Sequence, residues 1–260
     1  MTTDTQWQTL NEEGFRLYQQ GAYDRAEQLF REALERVETF GPKDTRVAMV
    51  LNNLANLCHN QGKLDEAEQH YQRALDIRRE QYGPDHPFVA QSLNNLASLY
   101  RELGRLDEAE TFLQKVLTIA EAIVGPDHWR VTNCLNNLAA VYMAQARYEE
   151  ASSLFDRSLT IRTRFFGPDH HSVATTLCGQ AEVAVAQGQD AAAAPIFQRA
   201  LDIRQQKLGA DHPAVALLIE KYAPLLHRAD RRDEALALEA KAREIRVKHK
   251  HVDAVEDHKE

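Results

Sequence analysis

Residues 83–87 read Gly-Pro-Asp-His-Pro, and the segment returns as Gly125-Pro126-Asp127-His128, Gly167-Pro168-Asp169-His170 and Gly209-Ala210-Asp211-His212-Pro213. With Gly41-Pro42 ahead of them, the glycines fall 42 residues apart four times without a slip. A fixed period of this length marks a chain built from stacked copies of one supersecondary unit. Two further landmarks keep the step. Leu51-Asn52-Asn53-Leu54-Ala55 recurs at 93–97 and 135–139, and Gly62-Lys63-Leu64-Asp65-Glu66-Ala67-Glu68 is echoed by Gly104-Arg105-Leu106-Asp107-Glu108-Ala109-Glu110.

Within the second unit, Val47, Val50, Leu51, Leu54, Ala55, Leu57 and Cys58 recur at three- and four-residue steps, which predicts a helix A from about Asp44 to Asn60. Ala67, Tyr71, Ala74, Leu75 and Ile77 predict a helix B from about Asp65 to Gln81. The Gly-Pro-Asp segment reads as a stop and a start. Gly supplies a left-handed residue after helix B, Pro prevents propagation, and Asp is expected to N-cap the next helix A. One hairpin cannot hide its own apolar faces, so neighbours must stack. The predicted fold is all-α, a right-handed α-solenoid of six helical hairpins at about 6–40, 44–82, 86–124, 128–166, 170–208 and 212–248. Flexible ends are expected at 1–5 and 249–260.

Spacing inside the unit decides its type. Ala55, Cys58, Gly62, Ala67, Tyr71 and Ala74 supply small, aromatic-site, glycine, alanine, aromatic and alanine positions in turn, and Gly14, Gly21, Ala26, Phe30 and Ala33 do so in the first unit. Small residues let helices A and B approach closely while an aromatic fills the gap. In these positions, in the Asn-Asn-Leu-Ala motifs and in the Gly-Pro-Asp-His turns, the chain resembles tetratricopeptide repeats of the kinesin light chain type, over roughly Gln6 to Lys248. That resemblance implies a non-catalytic scaffold or adaptor holding an extended peptide of a partner protein in a concave groove lined by helices A. It does not imply a motor partnership, because no heptad region accompanies the repeats.

Asn is a mediocre residue for a helix interior, yet each of three consecutive repeats accepts two. One reading has an Asn of each pair bonding a neighbouring helix and stitching the stack. In the other, implied by the resemblance, Asn53, Asn95 and Asn137 hold a peptide backbone, since an amide both donates and accepts. Asn52, Asn94 and Asn136 adjoin them. The same stripe carries Asn56 and His59, Gln91 and Arg101, and Asn133 and Met143. Only Arg101 there suits the gripping of a carboxylate terminus, so chaperone tails are not expected as ligands.

Other classes are set aside by composition. The 260 residues carry 31 Lys and Arg against 39 Asp and Glu, a net charge of −8, so no positive field awaits nucleic acid. No apolar run is long enough for a membrane helix, and the N-terminal residues lack a secretory pattern, so a cytoplasmic protein is expected. No catalytic string occurs, and neither enzyme activity, cofactor, metal nor small-molecule substrate is expected. Cys58, Cys134 and Cys178 read as small buried or half-buried side chains, without a C-x-x-C pair. The Asp-His pairs recur a repeat apart, too far to share an ion. Cys178-Gly179-Gln180 replaces Asn-Asn-Leu, Pro195 falls early in a helix B, and Pro224 is expected to kink or end a helix A. Units five and six therefore read as a capping region, with Lys221, His227 and Arg228 adding positive charge. The rival to a peptide groove is a protein that self-assembles, or joins a larger complex, through its edges and end repeats.

Overall fold

The computed structural model describes residues 3–256, with side chains for 5–249. Among these residues there are twelve helices and no strand. They are α1 (Thr3–Gln19), α2 (Tyr23–Glu38), α3 (Thr45–Asn60), α4 (Leu64–Tyr82), α5 (Pro87–Glu102), α6 (Leu106–Val124), α7 (Val131–Ala144), α8 (Tyr148–Phe166), α9 (His171–Ala186), α10 (Asp190–Leu208), α11 (Pro213–Arg228) and α12 (Arg232–Glu256). Odd-numbered helices are the predicted helices A and even-numbered ones the helices B. Residues 1–2 and 257–260, within the stretches expected to be flexible, lie outside the described residues. The hairpins divide into two compact units, one ending at Ile123 and one beginning at Val124.

In the first unit α2 packs on α3 and α4 on α5. Phe30, Ala33, Val47, Leu51, Leu54, Ala74 and Ile77 share one buried cluster. In the second, α8 packs on α9 and α10 on α11, around Leu177, Phe197, Leu201, Ile219, Tyr222 and Ile245. The apolar stripes read for α3 and α4 are buried throughout. The small residues do what close approach requires: a Cβ on Gly14 would come within 2.9 Å of the Phe30 ring, and one on Gly179 within 2.4 Å of the Phe155 ring.

Inside each hairpin the turn closes by backbone bonds. Gly62 N–H donates to His59 O (3.0 Å) and Lys63 N–H to Cys58 O (2.9 Å), with Gly62 at a φ of 75°. Ala146 and Asp230 take the corresponding place at a φ of 58° without glycine's freedom.

The turn between repeats differs from expectation in two ways. Gly83 has φ 83° and ψ 165°, a region open essentially to glycine alone but not the left-handed helical one. The capping residue is His, not Asp. His86 Nδ1 accepts from Phe88 N–H (3.2 Å), His170 Nδ1 from Ser172 N–H (3.2 Å) and His212 Nδ1 from Ala214 N–H (3.1 Å). Pro87 and Pro213 open their helices and hold the preceding histidine in extended backbone, and His170, followed by His171, takes the same conformation, so the N-cap falls on the histidine and the aspartate stands one place too early. Only α3, where Asp44 directly precedes the helix, is capped as predicted, by Arg46 N–H at 2.9 Å. Pro224 does not end its helix: α11 continues to Arg228.

Candidate functional site

In the first unit the asparagines join successive helices A. Asn53 Nδ2 donates to Asn11 Oδ1 of α1, and Asn95 Nδ2 donates to Asn52 Oδ1 of α3, both at 2.8 Å. Each amide bond spans one repeat. Asn52 is buried, while Asn53, Asn94 and Asn95 are half-buried. One donated bond leaves Asn53 and Asn95 each a carbonyl oxygen and a second N–H. Asn11 lies outside the motifs that mark the sequence, although one 42-residue step back from Asn53 finds it.

Asn56 and His59 are differently engaged. Asn56 Oδ1 accepts from the Tyr71 hydroxyl at 2.5 Å, tying α3 to α4, and burial raises the Tyr71 hydroxyl well above its usual range. His59 Nε2 meets Glu102 Oε2 of α5 at 2.5 Å. Gln91 and Arg101 are exposed, and Arg101 has no ion pair among the described residues. The face that carries these groups is thus amide-rich and close to neutral, with Arg101 as its exposed cation.

In the second unit Asn137 is exposed and Met143 half-buried. Asn136 meets Ser158 Oγ at 2.7 Å and Thr176 Oγ1 at 3.2 Å, satisfied with its nitrogen toward the serine and its oxygen toward the threonine. Asn133, exposed, accepts from Arg162 Nη2 at 2.7 Å. Arg162 is the organiser that sequence reading misses. It is 4% exposed and donates also to Thr132 Oγ1 (2.9 Å), Ser172 O (2.6 Å) and Thr176 Oγ1 (3.0 Å), all neutral acceptors. Burial pulls its pKa down to about 10. Its periodic relatives show the same device more simply: Arg78 donates to Phe88 O and Ser92 Oγ, and Arg204 to Ala214 O.

The positive charge expected near the last repeats is neutralised in place. Lys221 pairs with Glu182, His227 with Glu239 at 2.9 Å, and Arg228 with Asp190 at 2.7 Å. Trp129 packs edge-on to Phe166 at 5.6 Å and remains 37% exposed. Cys58 and Cys178 are buried and Cys134 is half-buried. No helix among the described residues is long and apolar enough to cross a membrane.

The Tetratricopeptide repeat family profile matches residues 8–80, 46–122, 131–206 and 180–246. No curated protein sequence is significantly similar to the chain. Among solved structures, the Podosopora anserina putative kinesin light chain nearly identical TPR-like repeats are 23% identical, covering 79% of this chain and 97% of that one, with a TM-score of 0.62. BtubC (BKLC) from P. vanneervenii is 22% identical over 96% and 93% of the two chains, with a TM-score of 0.67. A Rap protein complexed with Competence and Sporulation Factor is 14% identical over 95% and 76%, with a TM-score of 0.63. At these identities the likeness is one of fold.

Proposed function

The chain belongs to the tetratricopeptide repeat family, whose members are generally protein-interaction scaffolds, and from that premise we propose that it is a non-catalytic adaptor binding an extended peptide of a partner protein along its helix-A faces. The observation that carries this reading is the pair Asn53 and Asn95, one repeat apart in one unit, each half-exposed with hydrogen-bonding capacity to spare. A peptide backbone presents alternating donors and acceptors, which such amides satisfy whatever the peptide's sequence. Asn137 offers the same group in the second unit. Gln91 and Arg101 would set side-chain preference, and the near-neutral face favours a ligand of low charge over an acidic terminus. The Rap protein, solved with Competence and Sporulation Factor, supports a fold of this kind holding a factor. The net charge of −8 argues against nucleic acid as the partner, and we place the protein in the cytoplasm.

The same amide bonds favour a second reading, in which the ladder only stitches repeats and the protein assembles through its edges and end repeats. Panning the purified chain against a random peptide library, with its mass in solution measured alongside, separates the two. Recovery of a consensus peptide by a monomeric chain supports the adaptor. A stable oligomer that recovers none supports assembly.

A further inference from the structure

In the third and fourth repeats a tyrosine near the end of helix A is covered by an arginine. The Arg105 guanidinium lies 3.9 Å from the Tyr100 ring centre and that of Arg147 4.0 Å from Tyr142. Each arginine also grips the glutamate three residues on, Arg105 with Glu108 at 2.6 Å and Arg147 with Glu150 at 2.6 Å. The second repeat keeps the glutamate, Glu66, but departs from this arrangement around it. Cys58 replaces the tyrosine, Lys63 the arginine, and His70 stands where the later repeats have Phe112 and Leu154. Lys63 reaches back to Glu27 of α2 at 3.0 Å, so Glu66, the counterpart of Glu108 and Glu150, has no ion pair among the described residues. Cys58 Sγ, a Glu66 carboxylate oxygen and a His70 ring nitrogen consequently lie within 4.8 Å of one another.

We propose that Cys58, Glu66 and His70 form a binding site for a divalent transition-metal cation, zinc by its donor chemistry, that staples α3 to α4 across the hairpin turn. Thiolate, imidazole and carboxylate are the three side-chain ligands zinc takes, and three protein ligands leave a fourth position for water or a partner's group. Glu66 and His70 lie four residues apart on one face of α4, and Cys58 sits on α3 just ahead of the turn at Gln61–Lys63. Tetrahedral zinc asks for donors about 3.4–3.8 Å apart, so the three side chains close on the ion by up to about 1 Å, the exposed Glu66 carboxylate having the most freedom to turn. Burial lowers the His70 pKa, which disfavours the charged ring. Burial also raises the Cys58 thiol, so metal binding displaces its proton to solvent. This site uses none of the asparagines and is independent of the peptide reading.

The test is titration of the full chain, purified without a histidine tag and stripped of metal, with Co(II) and then Zn(II). The expected result is one equivalent of tetrahedral cobalt with a thiolate-to-cobalt charge-transfer band, displaced by zinc, and a Tm that rises with zinc. Cys58→Ser should abolish the band. His70→Gln, at a half-buried position that keeps the hairpin intact, should weaken zinc binding by more than about a hundredfold, beyond what loss of an outer-shell partner costs. A folded wild-type chain that binds cobalt without the thiolate band overturns the proposal. So does zinc affinity unchanged in His70→Gln, which would assign the ion to other histidines.

Discussion

Replacing Gly179 by Ala sets helix preference against packing. Alanine is favoured over glycine inside a helix by about 1 kcal/mol, and Gly179 lies inside α9 with an ordinary helical backbone. A Cβ there falls 2.4 Å from Phe155 Cε1 and Cζ, where relaxed carbon contacts sit at about 3.5–4.0 Å. The ring is 5% exposed and must retreat by about 1 Å into packed surroundings. Overpacking of this kind costs about 1–3 kcal/mol, so Gly179→Ala should lose up to about 2 kcal/mol net. Phe155→Leu, the residue the preceding repeat carries as Leu113, removes the obstructing ring edge. In that background Gly179→Ala should be neutral or gain up to about 1 kcal/mol, a coupling of about 1–3 kcal/mol in the double-mutant cycle. Urea denaturation of the four proteins, followed by circular dichroism, measures it. A stabilising Gly179→Ala in the wild-type background, or the same change in both backgrounds, refutes the reasoning.

Ala146→Gly should stabilise by about 1 kcal/mol, because the alanine holds a φ of 58° that costs a non-glycine residue about 1–2 kcal/mol, whereas Asp230→Gly should gain less since Asp tolerates that region; thermal melts of both decide it. Arg162→Lys keeps the charge but cannot reach Thr132, Ser172, Thr176 and Asn133 together, and should cost about 2 kcal/mol or more; an unchanged Tm would contradict this. The ammonium groups of Lys241 and Lys248 hold the pKa of Asp211 down to about 2, against an ordinary 3.8. As pH falls the unfolded chain takes up this proton first, so the contribution is full above about pH 4 and is lost toward about pH 2. An NMR titration of the Asp211 carboxyl should show the low midpoint, and Asp211→Asn should flatten the acid limb of the stability profile.

The hairpins are legible in the sequence because every stacked repeat must solve the same packing problem with the same small and aromatic residues, so Gly14 and Phe30 echo Ala55 and Tyr71. The histidine caps are not, because Asp85 and His86 are adjacent and the cap falls to whichever directly precedes the helix, which is the histidine with a following proline at His86 and without one at His170. The sequence leaves two readings of the asparagines open, and the bonds from Asn53 to Asn11 and Asn95 to Asn52 show that stitching is real without exhausting the amides. Arg162 shares the 42-residue step with Arg78 and Arg204, but its role is not legible in the sequence because its acceptors come from α7 and α9 and only the fold brings them together. Cys58 reads as an inert small residue, since its neighbours at positions 66 and 70 match no short metal motif and only the turn at Gln61–Lys63 folds them together.

The adaptor reading stands or falls on the affinity of a selected peptide for the Asn53→Ala, Asn95→Ala variant, measured by calorimetry on chains shown by circular dichroism to be folded. Two backbone hydrogen bonds at about 1 kcal/mol each predict a loss of about thirtyfold. Asn52→Ala is the control, because it removes the acceptor of Asn95 at a buried position and should leave affinity within a few fold. A folded double variant that binds the peptide as tightly as the wild type would show that these asparagines serve the stack alone and that partners are held elsewhere.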